Sequence, residues 1–188
     1  MQIQPKRERI ILGIDPGTVV LGYGLIKESG STLSLICLGV VKLSHLDDQA
    51  LKLKAILDKV NALIDQYHPD CMALEAPFYG KNPQVLLKLG RAQGVTMATA
   101  LQRGLPIVEY APRKIKQAVT GNGNASKEQV AAMLKNLLKF EESPQFLDAT
   151  DGLAVAVCHA FQKTNTSGKS TSYSGWSSFV KDQSDRIL

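Results

Sequence analysis

The chain has 188 residues, of which 44% are hydrophobic, and its net charge is +5. This length favours a single domain, and no apolar run approaches the roughly 20 residues needed to span a membrane. The first ten residues lack the apolar stretch of a secretory signal, so we expect a cytoplasmic protein without a membrane partner. Three scattered cysteines exclude a disulfide framework or a zinc site and are expected as buried thiols. The net positive charge modestly favours a polyanionic partner.

The first third of the chain predicts a three-stranded antiparallel meander. Residues 10–14 form a continuous apolar run that ends at Pro16 and Gly17. Residues 21–26 and 33–43 carry further strand patterns, separated by a turn at Gly30.

The middle of the chain predicts helices alternating with strands. Apolar residues recur at helical spacing over 47–67, and His68, Pro69 and Asp70 end that helix. A short strand at 71–74, a helix over 83–102 and a strand at 106–110 follow.

The last part is predicted to be helical. A short helix over 114–119 and a loop at 121–124 precede a helix that opens with a capping box of Ser126 and Gln129. Its predicted apolar face consists of Val130, Met133, Leu134, Leu137 and Leu138. A break at 141–144 leads to a final helix over 147–162.

These elements predict an α/β fold with a mixed five-stranded sheet flanked by helices. Hairpins join the first three strands, whereas the later strands need helical crossovers. We assign residues 1–9 to a flexible N-terminal extension, 10–163 to the folded domain and 164–188 to a flexible tail rich in Ser, Thr and Gly.

Four carboxylates occupy positions that could bring them together. Asp15 ends the first strand and Glu75 ends the fourth, so both emerge at one edge if those strands are parallel neighbours. Asp148 and Asp151 lie three residues apart on the last helix and share a face. Clustered carboxylates repel each other unless cations neutralise them, and hard oxygen ligands favour Mg²⁺ or Mn²⁺. Two such ions can assist phosphodiester hydrolysis.

Each acid also has an ordinary explanation when taken alone. An Asp before Pro-Gly is often a turn residue, and acids near the start of a helix are favoured by its dipole. Glu75 is harder to dismiss, because Glu is rarely buried without a partner. The conjunction of the four therefore favours a metal site.

Several segments resemble the RuvC family of Holliday junction resolvases, in the right order from about residue 10 to residue 161. They are Ile11-Leu12-Gly13-Ile14-Asp15-Pro16-Gly17-Thr18 with Gly22-Tyr23-Gly24, then Leu74-Glu75-Ala76-Pro77-Phe78 with Lys81-Asn82, Leu87-Lys88-Leu89-Gly90-Arg91-Ala92-Gln93-Gly94, and Asp148-Ala149-Thr150-Asp151-Gly152-Leu153-Ala154.

The resemblance implies an RNase H-like fold, a homodimer and two Mg²⁺ ions per subunit, for which Mn²⁺ substitutes. The implied metal-binding and catalytic residues are Asp15, Glu75, Asp148 and Asp151. The implied DNA contacts are Phe78, Lys81, Lys116 and Lys127, with Arg113 and Lys114 extending the basic patch. For Phe78 the alternative is a core aromatic, and for the lysines it is solvated helix charge.

The dimer hypothesis places the interface on the helix over 83–102. Gly90, Gly94 and Ala98 fall four apart on one face, where small residues permit close approach, and Leu86 lies on the same side. Two symmetrical sites would match a nearly two-fold substrate.

The reaction implied by the resemblance is hydrolysis by paired, symmetrical nicks in two opposite strands of a four-way DNA junction. The products are 5′-phosphate and 3′-hydroxyl ends, in recombination and repair. The branch-migration complex RuvAB is an expected partner on the same ground.

Two other functions remain as alternatives. The segment from Gly13 to Thr18 also resembles the first phosphate motif of the actin and sugar-kinase class, but the chain is too short for the two domains of that class. A non-catalytic DNA-binding module would keep the basic patch without a reason for four carboxylates. Metal-dependent cleavage separates that module from a nuclease.

Overall fold

A computed structural model of the chain describes residues 8–77, 82–140 and 146–162. These ranges form five strands and five helices. In chain order they are β1 (Glu8–Asp15), β2 (Val20–Ser29), β3 (Thr32–Lys42), α1 (Gln49–Tyr67), β4 (Cys71–Glu75), α2 (Pro83–Gln102), β5 (Ile107–Tyr110), α3 (Pro112–Thr120), α4 (Lys127–Leu138) and α5 (Phe146–Phe161).

The strands form one mixed five-stranded sheet, as the sequence predicts, and their order is β3-β2-β1-β4-β5. β1, β2 and β3 pair antiparallel, whereas β4 runs parallel to both β1 and β5. Ile14 lies opposite Leu74 in the register of β1 and β4. The next residues, Asp15 and Glu75, therefore leave the sheet at the same edge.

Each face of the sheet carries its own apolar core, because alternate strand residues point to opposite sides. Leu12 and Ile14 pack with residues of α1 and α2, such as Val60 and Ala92. Ile11 packs on the other side with residues of α3, α4 and α5. Helix α5 is the central element of this second layer, and its residues from Gly152 to Cys158 are all buried.

Glycines let α5 lie directly on the sheet. A Cβ atom at Gly22 would collide with the backbone carbonyl oxygen of Asp148, and one at Gly24 would collide with the backbone of Leu153. Gly152 approaches the backbone of Gly22 from the helix side. The carboxylates of α5 are thus positioned against β1 and β2 through backbone contact.

Some boundaries differ from the sequence prediction. β1 begins at Glu8, so two residues assigned to the extension belong to the sheet, where Glu8 pairs with Lys27 and Arg9 with Glu28. Met133 and Leu137 were predicted on the apolar face of α4, but their side chains are 45% and 42% exposed. The buried stripe of α4 is narrower and consists of Val130, Ala131, Leu134 and Leu138.

The remaining predicted segments fall partly outside the structure. Residues 1–7 of the extension, the break at 141–144, Phe78, Lys81 and the tail at 164–188 lie outside the described residues. No helix within the described ranges is long and apolar enough to cross a membrane.

Candidate active site

A cavity of about 310 Å³, here called the central cavity, opens where β1 and β4 end. Asp15 and Glu75 line it from the sheet, and Asp151 lines it from α5. The other lining residues come from α3, α4 and α5 and are Pro112, Ile115, Lys116, Lys127, Val130 and Ala154. Three of the four predicted carboxylates therefore face one space, although they are far apart in sequence.

The carboxylates of the central cavity oppose one another's ionisation. Burial, together with the nearby carboxylate of Asp151, raises the pKa of Asp15 to about 6. Burial and the charge of Asp15 raise the pKa of Glu75 to about 8. Burial also raises the pKa of Asp151. A site that disfavours carboxylate charge in this way is one that a bound cation would stabilise.

Asp148, the fourth predicted acid, lies beside this group on the first turn of α5. Its side chain is exposed, and its charge contributes to the raised pKa values of Asp15 and Asp151. Asp148 therefore interacts electrostatically with Asp15 and Asp151, although its side chain is more exposed to solvent than theirs.

Lys127 supplies positive charge to the central cavity. Its ammonium donates a hydrogen bond to the carboxylate of Asp151. The lysine is the first residue of α4, directly after the N-cap Ser126, whose capping box with Gln129 fixes the start of the helix. Lys116 of α3 also lines the cavity. Its positive charge offsets part of the rise in the pKa of Glu75.

The donor set fits a hard divalent cation, because it offers several carboxylate oxygens whose mutual repulsion a bound cation would relieve. In the described ranges, no three His, Cys, Asp or Glu side chains are close enough together to hold one ion as they are placed here. The acids therefore share a cavity rather than a closed ligand cluster, and Lys127 compensates part of their charge.

The predicted DNA-binding residues divide into two groups. Lys116 and Lys127 line the central cavity, and Lys116 also lines a neighbouring cavity of about 420 Å³ with Arg113. Lys114 lies over the ring of Tyr110, with its nitrogen 5.2 Å from the ring centre. Lys116 and Lys127 therefore place positive charge next to the acids. Positive charge of this kind favours the binding of phosphate groups.

The small residues of α2 lie on an open face. Gly90, Gly94 and Ala98 are exposed, and a Cβ atom at either glycine would meet no other atom within 4 Å. Leu86 is half-buried. A methyl group could therefore be added at either glycine without a clash among the described residues.

A second opening, here called the side cavity, was not foreseen from the sequence. It has a volume of about 150 Å³ and shares Asp15 and Glu75 with the central cavity. Gln93 of α2 lines it and donates a hydrogen bond from Nε2 to the carboxylate of Glu109 on β5. A glutamine inside an amphipathic helix gives no sequence signal of this kind, because its neighbour Glu109 is known only from the fold.

His159 of α5 takes part in a cluster separate from the two cavities. Its Nδ1 lies 2.8 Å from the hydroxyl of Tyr110, and its Nε2 lies 3.4 Å from the Sγ of Cys71. Burial raises the pKa of Cys71 to about 11, so this thiol is a poor nucleophile. The cluster joins α5 to β4 and β5.

Solved structures identify the class of fold. The chain is similar to Thermus thermophilus RuvC in complex with a Holliday junction substrate, at a TM-score of 0.75 and 32% identity over 81% of this chain and 93% of that one. The yeast mitochondrial Holliday junction resolvase Ydc2 shares the fold, at a TM-score of 0.60 and 16% identity over 85% of this chain and 80% of that one. The protein thus has the RNase H-like fold of these resolvases.

Sequence comparison narrows the class to one family. The family model described as crossover junction endodeoxyribonuclease RuvC matches residues 11–159. Relatives of that name from Cytophaga hutchinsonii and Porphyromonas gingivalis are 57% and 51% identical, over 96% and 98% of this chain and 88% and 100% of their own lengths. The chain belongs to the RuvC family of crossover junction endodeoxyribonucleases.

Family membership establishes the activity. The protein is a Holliday junction resolvase, an endonuclease that hydrolyses phosphodiester bonds of four-way DNA junctions in recombination and repair by symmetrical nicks. The family is one of metal-dependent nucleases. The ATP-binding and non-catalytic alternatives are therefore wrong.

Proposed function

We propose that Asp15, Glu75, Asp148 and Asp151 form the catalytic centre and hold two Mg²⁺ ions, for which Mn²⁺ can substitute. The observation that carries this proposal is the raised pKa of Asp15 and Glu75 in a cavity they share with Asp151. A buried group of acids costs free energy in the metal-free protein, and cation binding would recover it.

The bound ions would activate water and stabilise the departing 3′ oxygen, leaving a 5′-phosphate. The chain's own residues prepare the place for this chemistry. Asp15 and Glu75 supply oxygens from the rigid edge of the sheet, whereas Asp148 and Asp151 supply them from α5. Lys116 and Lys127 provide ammonium groups beside these acids and would contact the DNA backbone.

The wider DNA surface follows from the position of the central cavity. Arg113 and Lys116 extend its positive edge along α3, and Lys114 lies between them in the sequence of the same helix. Phe78 and Lys81 follow β4 directly in the sequence, and we propose that they contact the junction. Stacking of Phe78 on an unpaired base is the expected contact.

Paired nicks require two sites, so we propose a homodimer formed by α2. The face of Leu86, Gly90, Gly94 and Ala98 would permit close helix approach. Gly94→Trp tests this interface, because Gly94 is exposed and a Cβ atom there meets no other atom within 4 Å. Light scattering should show a monomer with an unchanged circular dichroism spectrum, and a variant that stays dimeric would contradict the assignment.

The cellular setting and domain limits are further proposals. We propose that the protein acts on junction DNA in the cytoplasm and that RuvAB is its partner, as the family resemblance implies. The folded domain would extend to residue 163.

Metal binding without DNA tests the site directly. Isothermal titration with Mg²⁺ and Mn²⁺ should give two ions per wild-type subunit, and Asp15→Asn should lose at least one of them. The matched control is Asp58→Asn, because Asp58 is an exposed acid on α1 that pairs with Lys54 away from the cavity. Unchanged stoichiometry and affinity in Asp15→Asn would refute the proposed ligand set.

A further inference from the structure

The side cavity differs from the central cavity in chemistry although the two share Asp15 and Glu75. Its other walls are mostly apolar and come from Pro16, Ala76, Pro77 and Leu89. None of the lysines that line the central cavity lines it. No described lysine or arginine lines the side cavity to pair with a phosphate, and most of its remaining wall is apolar, so it favours a neutral ligand with flat apolar faces.

Gln93 is the polar, uncharged group of the side cavity. Its side chain is 7% exposed, so it is held within the protein rather than in solvent. The Gln93–Glu109 hydrogen bond ties α2 to β5 and fixes the orientation of the amide. A primary amide has two N–H donors and one carbonyl acceptor, and Glu109 takes one of the donors. The other groups of the amide can pair with the edge of a base.

The shared carboxylates place the two cavities side by side. A phosphate bound at the central cavity would therefore have a neighbouring nucleotide within reach of the side cavity. Bases at the crossover of a junction can leave their stack, and an unpaired base can then be read by stacking and by hydrogen bonds to its edge. The volume of about 150 Å³ accommodates a single base but not a base pair.

We propose that the side cavity receives the base of a nucleotide adjacent to the cut phosphate and that Gln93 reads its edge. Gln93 would thus be a specificity-determining residue for cleavage. The inference rests on the proposed location of cleavage at Asp15 and Glu75. Glu109 is a positioning residue in this account, because it orients the amide without touching the base.

The test uses the full-length protein and synthetic four-way junctions with randomised nucleotides on both sides of the cut. Sequencing of the products gives the preference at every position. Gln93→Leu should reduce discrimination at one position next to the cut by about tenfold, the effect expected for loss of an amide–base pair. Preferences at the other positions and the affinity for Mg²⁺ should stay as in the wild type.

Two further variants sharpen the test. Gln102→Leu makes the same change at an exposed position on the last turn of α2 and should leave the profile unaltered. Glu109→Gln keeps Gln93 but alters its anchor, and should weaken preference at the same position as Gln93→Leu.

The outcomes separate this inference from the proposed function. An unchanged profile in Gln93→Leu, or an equal loss of cleavage on all sequences, would overturn it, since the latter would indicate metal binding or fold support. If Asp15→Asn kept full Mg²⁺ affinity, the proposed catalytic centre would fail instead, whatever Gln93→Leu did.

Discussion

Lys127 and Asp151 form an ion pair inside the cavity that also contains Asp15 and Glu75. The Asp151 side chain is 17% exposed, whereas that of Lys127 is 54% exposed, so the lysine enters from solvent and the aspartate is anchored. The ammonium thus neutralises part of a group of acids that we propose as metal ligands. Metal binding would compete with it for Asp151.

This competition predicts the behaviour of Lys127→Met. At pH 8.5 without DNA, Mg²⁺ should bind the variant about three- to tenfold more tightly, because the metal displaces no ion pair and meets less positive charge. Junction binding should weaken, because a phosphate contact is lost. Isothermal titration and a gel-shift assay measure the two effects.

The matched control is Lys54→Met, which removes an exposed lysine that also pairs with an aspartate, Asp58, on α1. It should change neither affinity. Weaker Mg²⁺ binding by Lys127→Met than by the wild type would mean that Lys127 supports the metal ligands rather than competing with the metal.

The raised pKa of Glu75 makes the stability of the metal-free protein depend on pH. In the unfolded chain Glu75 ionises near its ordinary pKa of 4.5, whereas in the folded protein it holds its proton up to about pH 8. The folded state therefore binds more protons between these values, and its stability falls as pH rises through this window. In EDTA, Glu75→Gln should raise the melting temperature by several degrees at pH 8.5. Near pH 4.5 it should leave the melting temperature unchanged.

Differential scanning calorimetry at the two pH values measures this difference. Added Mg²⁺ should stabilise the wild type more at pH 8.5 than at pH 6, since binding requires ionised carboxylates. A Glu75→Gln variant that is less stable than the wild type at pH 8.5 without metal would contradict the electrostatic account.

Gly22 lies so close to the backbone of Asp148 that adding a single methyl group at residue 22 should displace α5. Gly22→Ala places a Cβ against the carbonyl oxygen of Asp148, so the helix start must shift. Overpacking of this kind costs about 1–3 kcal/mol in unfolding free energy. Urea denaturation should show that loss, and Mg²⁺ affinity should fall as well.

Gln66→Ala provides the comparison, because Gln66 is an exposed residue of α1 to which no functional role is assigned. It should be neutral or stabilising in urea, with unchanged Mg²⁺ affinity. Wild-type Mg²⁺ affinity in Gly22→Ala would show that the position of α5 does not control the metal site.

The sequence predicted those features that local signals determine. The helix over 83–102 has the predicted bounds, because Asn82 caps its start, Pro83 follows as a first-turn residue and Gly104 ends the segment with a positive φ. The convergence of Asp15 and Glu75 was predictable from strand ends, because β1 and β4 proved to be parallel neighbours.

The features that the sequence did not predict depend on tertiary contacts. Glu8 and Arg9 look like charged extension residues, and only their pairing with Lys27 and Glu28 on β2 places them in the sheet. Met133 remains exposed, because the apolar period of α4 does not say how wide a stripe the fold buries. Neither the Lys127–Asp151 pair nor the Gln93–Glu109 bond has a sequence signature, since each joins two distant elements.

The central claim is that four carboxylates make this protein a metal-dependent junction nuclease. The most direct measurement is a denaturing-gel assay with a labelled four-way junction and a linear duplex of the same sequence, in Mg²⁺ or EDTA, for the wild type and Asp15→Asn. We expect paired nicks in two opposite junction strands, absent in EDTA and reduced at least about a thousandfold in Asp15→Asn, while the duplex stays intact. Cleavage that persists in EDTA or in Asp15→Asn would contradict the account.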